Sequence, residues 1–357
     1  MTHHHDLAAW GFDDRIAADW AAMPLPAQAM PARVIGQERD RWIVHNGYES
    51  ASARITGYQL GGMFPVTGDW VAVQPGPLAD DLLSIVGVVP RRTAMSRGAA
   101  GHGEREQVLA SNIDVVFIVH GLDSPLNERR IERYLTAAWE SGASPEVVLT
   151  KADLVDDAAE RQAAIEAVAI GVPVHTVSTH DPVQLAHFAA RLQPARTYAL
   201  LGPSGAGKSS LVNALADATL TATGAVRDAD HKGRHTTTRR ELFRLPGGAL
   251  FMDTPGLREF RVWSADVGLA QTFPDIDTLA QLCHFRDCRH ESEPACAVLA
   301  AAAAGQLDAE RLESYRKLLA ETAYLERRED PTAQAAAVAK HKTALKTMKY
   351  HQKRRES

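Results

Sequence analysis

The sequence predicts a multidomain chain: an N-terminal β-barrel of the OB type, a central α/β domain, and a C-terminal helical domain that carries a cysteine cluster. Three observations support this prediction. Residues 32–91 contain several short strand-like runs. Strands then alternate with helices around a glycine-rich loop, and all three cysteines lie between residues 283 and 296. The expected divisions are a lead-in (1–30), the barrel (31–95), the α/β domain (96–265) and the cysteine-containing domain with its basic tail (266–357).

Composition places the chain among globular proteins. Hydrophobic residues make up 45% and charged residues 23% of its 357 residues, and the formal net charge is −5. This charge gives no global signal for nucleic-acid binding, so any such binding would come from local basic patches. Apolar runs stay below the ~18 residues of a membrane span, and the first residues lack the apolar core of a signal peptide. We expect a cytoplasmic monomer with no membrane partner.

Strands of the barrel are expected at residues 33–35, 42–44, 53–55, 69–73 and 82–89. Asn46-Gly47 is a strong hairpin signal between the second and third of these runs. Closely spaced short strands are typical of a small OB barrel, which often binds single-stranded nucleic acid. A barrel that serves only as a docking surface is the alternative, and it stays open. The lead-in is expected to pack loosely, and the polar stretch 91–107 to be a linker or mobile loop.

Beyond that stretch the hydrophobic period changes. Strands are predicted at residues 113–119, 146–149, 172–177 and 197–201, and helices at 127–141 and 158–170. Strands that alternate with helices indicate a parallel α/β sheet.

The last of these strands leads into a glycine-rich loop. Its sequence fits the phosphate-loop pattern G-x-x-x-x-G-K-[ST]: Gly202-Pro203-Ser204-Gly205-Ala206-Gly207-Lys208-Ser209. Such a loop turns backbone N–H groups and a helix N-terminus towards a triphosphate. Lys208 would then reach the β- and γ-phosphates, and Ser209 would bind Mg²⁺. A glycine-rich turn that binds nothing is the alternative, but the strand before the loop and the helix after it favour the nucleotide.

A second motif ends the strand at 146–149. Thr150-Lys151-Ala152-Asp153 matches the guanine-reading pattern [N/T]-K-x-D of GTPases, although Asn is more usual than Thr at its first position. The Asp153 carboxylate can accept from N1–H and the exocyclic amine of guanine, whereas adenine does not present these donors. Four residues can match by chance, but the carboxyl end of a parallel strand is where ligands bind. Ser178 follows the next strand and fits the loop that backs the base.

The remaining nucleotide motifs follow the phosphate loop. Residues 233–238 form a switch-like threonine segment, in which Thr238 or its neighbour Thr237 would contact Mg²⁺. A D-x-P-G motif comes next, where Asp253 would hold Mg²⁺ through water and Gly256 would sense the γ-phosphate. In ordinary GTPases the base-reading motifs follow the phosphate loop, whereas here they precede it. Because a doubly wound sheet keeps its strand neighbours when the chain is reopened elsewhere, this order predicts a circularly permuted P-loop GTPase domain.

The C-terminal cysteines suggest a metal site. Three thiolates and one imidazole form a complete tetrahedral set for structural Zn²⁺, and both His284 and His290 lie near the cysteines. Buried free cysteines or a redox pair are the alternatives, which a cytosolic compartment disfavours. A helix is expected at 307–328. The tail 340–355 holds seven Lys/Arg and no acid, so it is either a solvated end or a contact for RNA phosphates.

The motif order, the segment Gly233-Arg234-His235-Thr236-Thr237-Thr238 and the cysteine cluster together resemble the RsgA family of small-ribosomal-subunit-dependent GTPases. The resemblance extends from residue 32 to residue 324. It implies an OB barrel, a permuted GTPase domain and a zinc-binding C-terminal domain. It also implies slow GTP hydrolysis that the small ribosomal subunit stimulates during late maturation, with the subunit and its rRNA as partners.

Three sets of candidate site residues result. The resemblance selects His290 over His284, which gives the zinc ligands Cys283, Cys288, His290 and Cys296. The Mg²⁺ contacts are Ser209, Thr238 and Asp253. The GTP-binding set is Thr150, Lys151, Asp153, Ser178, Gly202, Pro203, Ser204, Gly205, Ala206, Gly207, Lys208, Ser209, Ser210, Asp253 and Gly256.

The catalytic candidate is His235. Many GTPases place a water-orienting Gln after D-x-P-G, but here that position is Leu257, which neither donates nor accepts. His235 can accept a proton near neutral pH, and the resemblance supports this choice. The alternative is that His235 only stabilises its loop or touches RNA, with Glu259 and Arg258 as the next candidates.

Three functions compete on this basis. The first is a GTP hydrolase that couples hydrolysis to release from an assembling small subunit. The second is a nucleotide-gated RNA-binding module in which GTP is mainly a ligand. The third is a P-loop ATPase or kinase with an unrelated zinc finger, and both Asp153 and the permuted motif order argue against it.

Overall fold

The computed structural model describes residues 7–38, 40–55, 63–76, 82–98, 106–223, 241–253 and 266–329. Contacts divide the chain into two compact units. The first unit comprises Met1–Ser96 and Val108–Phe260, and the second comprises Arg97–Gln107 and Arg261–Ser357. The strands are β1 (Met30–Glu38), β2 (Arg41–His45), β3 (Ser50–Ile55), β4 (Trp70–Pro75), β5 (Leu83–Val88), β6 (Ala94–Gly98), β7 (Glu106–Ser111), β8 (Val115–Gly121), β9 (Ser144–Thr150), β10 (Val174–Val177), β11 (Thr197–Leu201), β12 (Glu241–Arg244) and β13 (Leu250–Asp253).

The helices are α1 (Asp14–Ala22), α2 (Glu128–Glu140), α3 (Ala158–Val168), α4 (Pro182–Ala189), α5 (Lys208–Thr223), α6 (Asp266–Thr272), α7 (Pro274–Ala280), α8 (Ala297–Ala303) and α9 (Ala309–Glu329). Among these described helices, none has the length and apolar character needed to cross a membrane.

The first five strands form a closed barrel, which confirms the predicted fold. Antiparallel pairing joins β1 to β2, β2 to β3 and β4 to β5, while β3 runs parallel to β5 and β4 returns to β1. Buried side chains such as Val34, Val71 and Ile85 fill the interior. The expected turn closes the β2–β3 hairpin, where Asn46 Oδ1 accepts from the backbone N–H of Tyr48 at 3.0 Å.

The lead-in is packed against the barrel, so the expectation of loose packing was wrong for its described part. Helix α1 is capped by Asp13, whose Oδ1 accepts from the N–H of Ile16 at 2.9 Å. Leu7, Phe12 and Ile16 are buried in one cluster with Trp70. The rings of Phe12 and Trp70 meet edge to face, with centroids 4.9 Å apart. Because Trp70 lies far along the chain, the local composition of the lead-in did not indicate this contact.

The stretch expected to be a linker also differs from its prediction. It contains β6 and the start of β7, which pair with each other as a two-stranded sheet, while residues 99–105 lie outside the described part. A polar sequence is compatible with such a ribbon, because the two strands satisfy each other's backbone hydrogen bonds without a large apolar core.

The central sheet has the strand order β10-β9-β8-β11-β13-β12, and all neighbours are parallel except β13 and β12. Helix α2 packs on β8 and β9, and α3 and α4 pack on β10. Phe117 of β8, Phe188 of α4 and Leu211 of α5 share its core. Strand β11 lies between β8, which precedes it in the chain, and β13, which follows it. The predicted permuted α/β domain is therefore confirmed.

A buried carboxylate joins the barrel to the residues that lead into the sheet. Asp69 is 0% exposed and accepts from Arg91 Nε and Nη2, both at 2.8 Å, from Ser111 Oγ at 2.6 Å and from the Val66 N–H at 2.8 Å. Burial of an unpaired carboxylate would cost desolvation free energy, and these four hydrogen bonds to Asp69 compensate that cost.

Arg33 forms a second buried link between the barrel and the sheet. Its Nη2 donates to Thr197 Oγ1 at 2.8 Å and to the Asn112 carbonyl at 3.1 Å. Burial lowers the pKa of Arg33 to about 10, so the guanidinium remains charged at neutral pH. Strand β1 also pairs with β12 at Gly36 and Glu241. Barrel and sheet are thus connected by hydrogen bonds at several separate points.

The C-terminal unit is helical, as predicted. Helix α6 packs on α7 and on α9, and α7 packs on α8. Arg311 of α9 donates to Asp275 of α7 at 2.7 Å, and its guanidinium lies 4.8 Å from the ring centre of Phe273. The helix expected at 307–328 corresponds to α9.

Removal of the Asp69 carboxylate is expected to destabilise the barrel-containing unit. Asp69→Ala leaves Arg91 and Ser111 without their shared buried acceptor, at a cost of about 3 kcal/mol or more. The urea midpoint, followed by tryptophan fluorescence, measures the loss. Asp156→Ala, at an exposed aspartate, is the matched control and should change stability by less than ~0.5 kcal/mol. Equal midpoints for the two variants would contradict the role given to Asp69.

Candidate active site and metal centre

The phosphate-loop pattern lies between β11 and α5. Gly202 has a φ of +151°, and a Cβ at this position would lie 2.2 Å from the carbonyl oxygen of Val119 in β8, so a side chain does not fit. Ala206 is buried in the core beneath the loop, whereas Ser204 and Gly205 are exposed. One side of the loop is therefore packed against the sheet and the other faces solvent.

Lys208 and Ser209 begin helix α5. Lys208 Nζ donates to the carbonyl oxygens of Gly202 and Pro203 at 2.7 and 2.6 Å, which places the ammonium over the loop. Ser209 and Ser210 are exposed in the first turn. A helix N-terminus supplies backbone N–H donors and the positive end of the helix dipole, so this arrangement can bind phosphate groups. Phosphate oxygens are stronger acceptors for the ammonium than the neutral carbonyls.

The T-K-x-D motif follows β9. Thr150 is the buried last residue of that strand, Lys151 has a left-handed φ of 61°, and Ala152–Leu154 form one turn of 3₁₀ helix. Asp153 is exposed, and its Oδ1 accepts from Ser178 Oγ at 2.5 Å. This hydrogen bond holds the pKa of Asp153 below its usual value, which keeps the carboxylate ionised as an acceptor.

The two loops are in direct contact. Thr150 Oγ1 donates to the carbonyl oxygen of Ala206 at 2.6 Å and lies 3.4 Å from the carbonyl oxygen of His120. Strands β9, β8 and β11 are parallel neighbours, so their carboxyl ends meet at one edge of the sheet. The predicted residues Thr150, Lys151, Asp153 and Ser178 are thereby brought to the same edge as residues 202–210.

One charged residue at this edge was not predicted from the sequence. Asp123 follows β8, and its Oδ2 lies 2.6 Å from Lys151 Nζ. The hydrogen bond from Lys151 holds the pKa of Asp123 below its usual value. No sequence signal marked it, because Asp123 lies outside the motifs and only the pairing of β8 with β9 brings it to Lys151.

The later motifs are described only in part. Asp253 is the last residue of β13, which pairs with the phosphate-loop strand β11. Thr238, Thr237, His235 and Gly256 lie outside the described residues. Their assignments to Mg²⁺, to the γ-phosphate and to the attacking water stay predictions.

In the C-terminal unit, the ligand atoms of Cys283, Cys288, His290 and Cys296 all lie within 4.8 Å of one another. Cys283 Sγ is 3.8 Å from Cys296 Sγ, and His290 Nδ1 is 3.6 and 3.4 Å from these two sulfurs. Tetrahedral zinc, with Zn–S of ~2.3 Å and Zn–N of ~2.0 Å, separates its donors by about 3.5–3.8 Å. The three separations above match this geometry, and Cys288 Sγ lies within 4.8 Å of the other three donors, so the cluster is compatible with zinc. His284 is not in this group and stacks edge-on against Phe285.

Local backbone geometry brings these ligands together. Cys296 caps helix α8, where its Sγ accepts from the Leu299 N–H at 3.4 Å. His290 has a left-handed φ of 57°, and its carbonyl oxygen accepts from Arg316 of α9. Burial lowers the pKa of His290, which keeps the imidazole neutral and able to bind a cation.

A family model and the sequence relatives of this chain both indicate the RsgA family. A sequence model of the RsgA GTPase matches residues 88–263. An ABC transporter model also matches, over residues 185–344, a range that includes the phosphate loop but not the T-K-x-D motif. The small ribosomal subunit biogenesis GTPase RsgA of Opitutus terrae is 45% identical over 91% of this chain and 92% of its own. RsgA 2 of Lactiplantibacillus plantarum is 42% identical over 89% and 92%.

Solved structures agree on the fold. YjeQ from Thermotoga maritima superposes with a TM-score of 0.62 at 23% identity, covering 82% of this chain and 98% of its own. YloQ, described as a circularly permuted GTPase, gives 0.57 at 22% identity, covering 86% and 99%. These likenesses support the fold alone, whereas the sequence relatives extend over about nine-tenths of the chain. The chain therefore belongs to the RsgA family of GTP-hydrolysing enzymes.

Proposed function

We propose that this chain acts in late maturation of the small ribosomal subunit, where it binds rRNA and couples GTP hydrolysis to its own release. The observation that carries the proposal is the 45% identity, over 91% of the chain, to a relative named a small ribosomal subunit biogenesis GTPase. The nucleotide site has separate support in the contact between the T-K-x-D loop and the phosphate loop. We propose further that the protein works as a cytoplasmic monomer.

GTP would lie along the carboxyl edge of the sheet, from residues 150–153 at its base to residues 202–209 at its phosphates. Asp153, already oriented by Ser178, would accept from N1–H and the exocyclic amine of guanine. Lys208 would exchange its two carbonyl acceptors for phosphate oxygens. The Gly256 N–H would contact the γ-phosphate.

Ser209, Thr238 and, through water, Asp253 would hold Mg²⁺. The donors fit this ion, because Ser209 is exposed in the first turn of α5 and Asp253 ends β13, beside the phosphate-loop strand. When bound, the ion would neutralise charge that develops on the phosphates. Leu257 offers no hydrogen bond to the attacking water. His235 would instead accept a hydrogen bond from that water and orient it towards the γ-phosphate.

Contacts to rRNA would come from local features of the chain, since its net charge is −5. Tyr48 and Phe64 are exposed on the barrel, at 60% and 71%, and exposed aromatic rings stack well on unpaired bases. The tail 340–355 carries seven Lys/Arg and no acid, which suits contact with phosphates. Both features support RNA as the partner of this protein.

GTP turnover with and without purified small ribosomal subunits tests the proposal. We expect slow hydrolysis by the protein alone and clear stimulation by small subunits, because the proposal makes the assembling small subunit the partner on which turnover depends. Large ribosomal subunits at the same concentration are the matched control and should not stimulate. Turnover that is indifferent to small subunits would contradict the proposal and favour a nucleotide-gated RNA-binding module.

The same assay tests His235. His235→Ala is expected to keep GTP affinity within a few-fold and to lower subunit-stimulated turnover by roughly 10²-fold or more. His187→Ala, at an exposed histidine of α4, is the control and should leave both quantities unchanged. Full stimulated turnover in His235→Ala would remove this residue from catalysis, and a matched loss of GTP binding would show a structural role.

Asp153→Asn is expected to weaken GTP binding by roughly 10- to 100-fold and to relax the preference over xanthosine triphosphate. The amide replaces an acceptor with a donor, and a hydrogen bond to a charged group contributes ~1.5–3 kcal/mol. Competition of GTP, ATP and xanthosine triphosphate against a fluorescent GDP measures the change. Asp156→Asn is the exposed control three residues later. If selectivity is unchanged in Asp153→Asn, this carboxylate does not read the base.

Removal of zinc is expected to unfold the segment around residues 283–296 and to spare the GTPase sheet. Structural zinc contributes about 10–16 kcal/mol in small modules. Elemental analysis measures the zinc content, and limited proteolysis before and after chelation measures the unfolding of the segment. GTP affinity reports whether the GTPase sheet stays folded. Cys296→Ser should lower the zinc content, and Ser292→Ala, at an exposed residue between the ligands, should not. Zinc-free protein that keeps its C-terminal protease resistance would contradict this assignment.

A further inference from the structure

Lys151 has a backbone conformation that is rare for a residue with a side chain. Its φ of 61° lies in the left-handed region, between the end of β9 and the turn that carries Asp153. Such strain persists where surrounding contacts determine the geometry, and it concentrates at functional sites. The Lys151 side chain has such a contact, since its Nζ lies 2.6 Å from Asp123 Oδ2.

Because Gly121 has no side chain, it leaves room for the ion pair between Lys151 and Asp123. A Cβ at Gly121 would lie 2.6 Å from Asp123 Oδ1 and 3.5 Å from both Cδ and Cε of Lys151. The methylene stem of Lys151 therefore passes over the backbone of Gly121 on its way to the carboxylate.

The loop that carries Asp123 is fixed to the strand end that carries the motif. The Leu122 N–H donates to the Thr150 carbonyl at 2.9 Å, and Arg161 Nη1 donates to the Leu122 carbonyl at 2.8 Å. Ser124 Oγ closes the loop by donating to the Gly121 carbonyl at 2.9 Å. Hydrogen bonds of the backbone therefore hold the Asp123 loop beside Lys151.

Stability alone does not account for this arrangement. The side chains of Lys151 and Asp123 are 30% and 40% exposed, and exposed ion pairs stabilise a fold very little. The pair does restrict where the Lys151 stem can lie, two residues before Asp153. A base whose edge bonds to Asp153 brings its flat apolar face close to that stem, and the methylene groups of lysine pack well on apolar surface.

We propose that Asp123 is a positioning residue for guanine recognition, which acts by holding the Lys151 stem as one wall of the base site. The proposal deepens the proposed function and rests on GTP binding at this edge of the sheet. Asp123 itself makes no hydrogen bond to the nucleotide in this role. Its effect is confined to the base end of the ligand.

Simple electrostatics predicts the opposite result. Asp123 is a negative charge near the site of an anionic ligand, so its removal would tighten the binding of GTP, GDP and bare polyphosphate alike. A positioning role predicts weaker binding of the two nucleotides and unchanged binding of polyphosphate. The sign of the effect and its dependence on the base therefore separate the two explanations.

The affinities of the full-length protein for GTP, GDP and inorganic tripolyphosphate, measured by competition against a fluorescent GDP, provide the test. In Asp123→Ala we expect both nucleotide affinities to fall by up to roughly tenfold, the scale of immobilising one long side chain on binding, with unchanged tripolyphosphate affinity and unchanged kcat. Asp123→Glu, which keeps a carboxylate, should retain most of the nucleotide affinity that Asp123→Ala loses. Glu313→Ala, which removes the Lys317–Glu313 ion pair of α9, is the matched control and should change none of these values.

A double-mutant cycle completes the test. Lys151→Ala should weaken nucleotide binding by itself, and Asp123→Ala should add nothing in that background, because it acts only through Lys151. Additive losses, equal losses for tripolyphosphate, or tighter nucleotide binding in Asp123→Ala would each overturn the proposal. A lack of stimulation by small subunits would count against the proposed function and leave these affinities untouched, so the two failures are distinguishable.

Discussion

The hydrogen bond from Thr150 Oγ1 to the carbonyl oxygen of Ala206, at 2.6 Å, is the contact on which the candidate site depends. Both residues are buried, so a partner left unpaired would carry a desolvation cost of about 1–3 kcal/mol. The close approach of Gly202 to the Val119 carbonyl fixes the phosphate loop from the side of β8. The separation between the T-K-x-D loop and the phosphate loop is thus set by the backbone and by one short side chain. Long flexible side chains do not determine this separation.

This contact does not depend on the order in which the chain forms the strands. Strands β9, β8 and β11 are parallel neighbours whatever their sequence order, so the permuted chain keeps the same edge. Permutation instead decides what is attached to the sheet. Strand β12 follows residues 224–240 and pairs with β1 of the barrel at Gly36 and Glu241. The switch-like segment therefore connects the helix of the phosphate loop to a strand that touches the barrel. In the proposed function, the segment that would contact Mg²⁺ is thus joined along the chain to a strand that pairs with the barrel.

Sequence patterns predicted those parts of the molecule whose signals are local. Each strand, each helix, the glycine-rich loop and the cysteine cluster is signalled within a short stretch of the chain, and the structure contains the corresponding sheet, loop and cluster. The packed lead-in escaped prediction because Phe12 meets Trp70 only through the fold. Within the site, the T-K-x-D motif was predictable, but the partner of Lys151 was not. Asp123 lies 28 residues earlier, and only the adjacency of β8 and β9 brings the two side chains together.

The end of the candidate site that would hold the base is built from solvated charges, and this determines how the site would discriminate between bases. Asp153 is exposed, and in water its carboxylate is well hydrated. A base that covers the carboxylate removes that water, so a matched hydrogen bond strengthens and an unmatched carboxylate becomes costly. Orientation then matters more than charge. Ser178 orients Asp153, and Asp123 orients Lys151, before a ligand arrives, so fewer side-chain rotamers are lost on binding. Selectivity would therefore reside in these oriented side chains, while the phosphate loop would supply affinity that does not depend on the base.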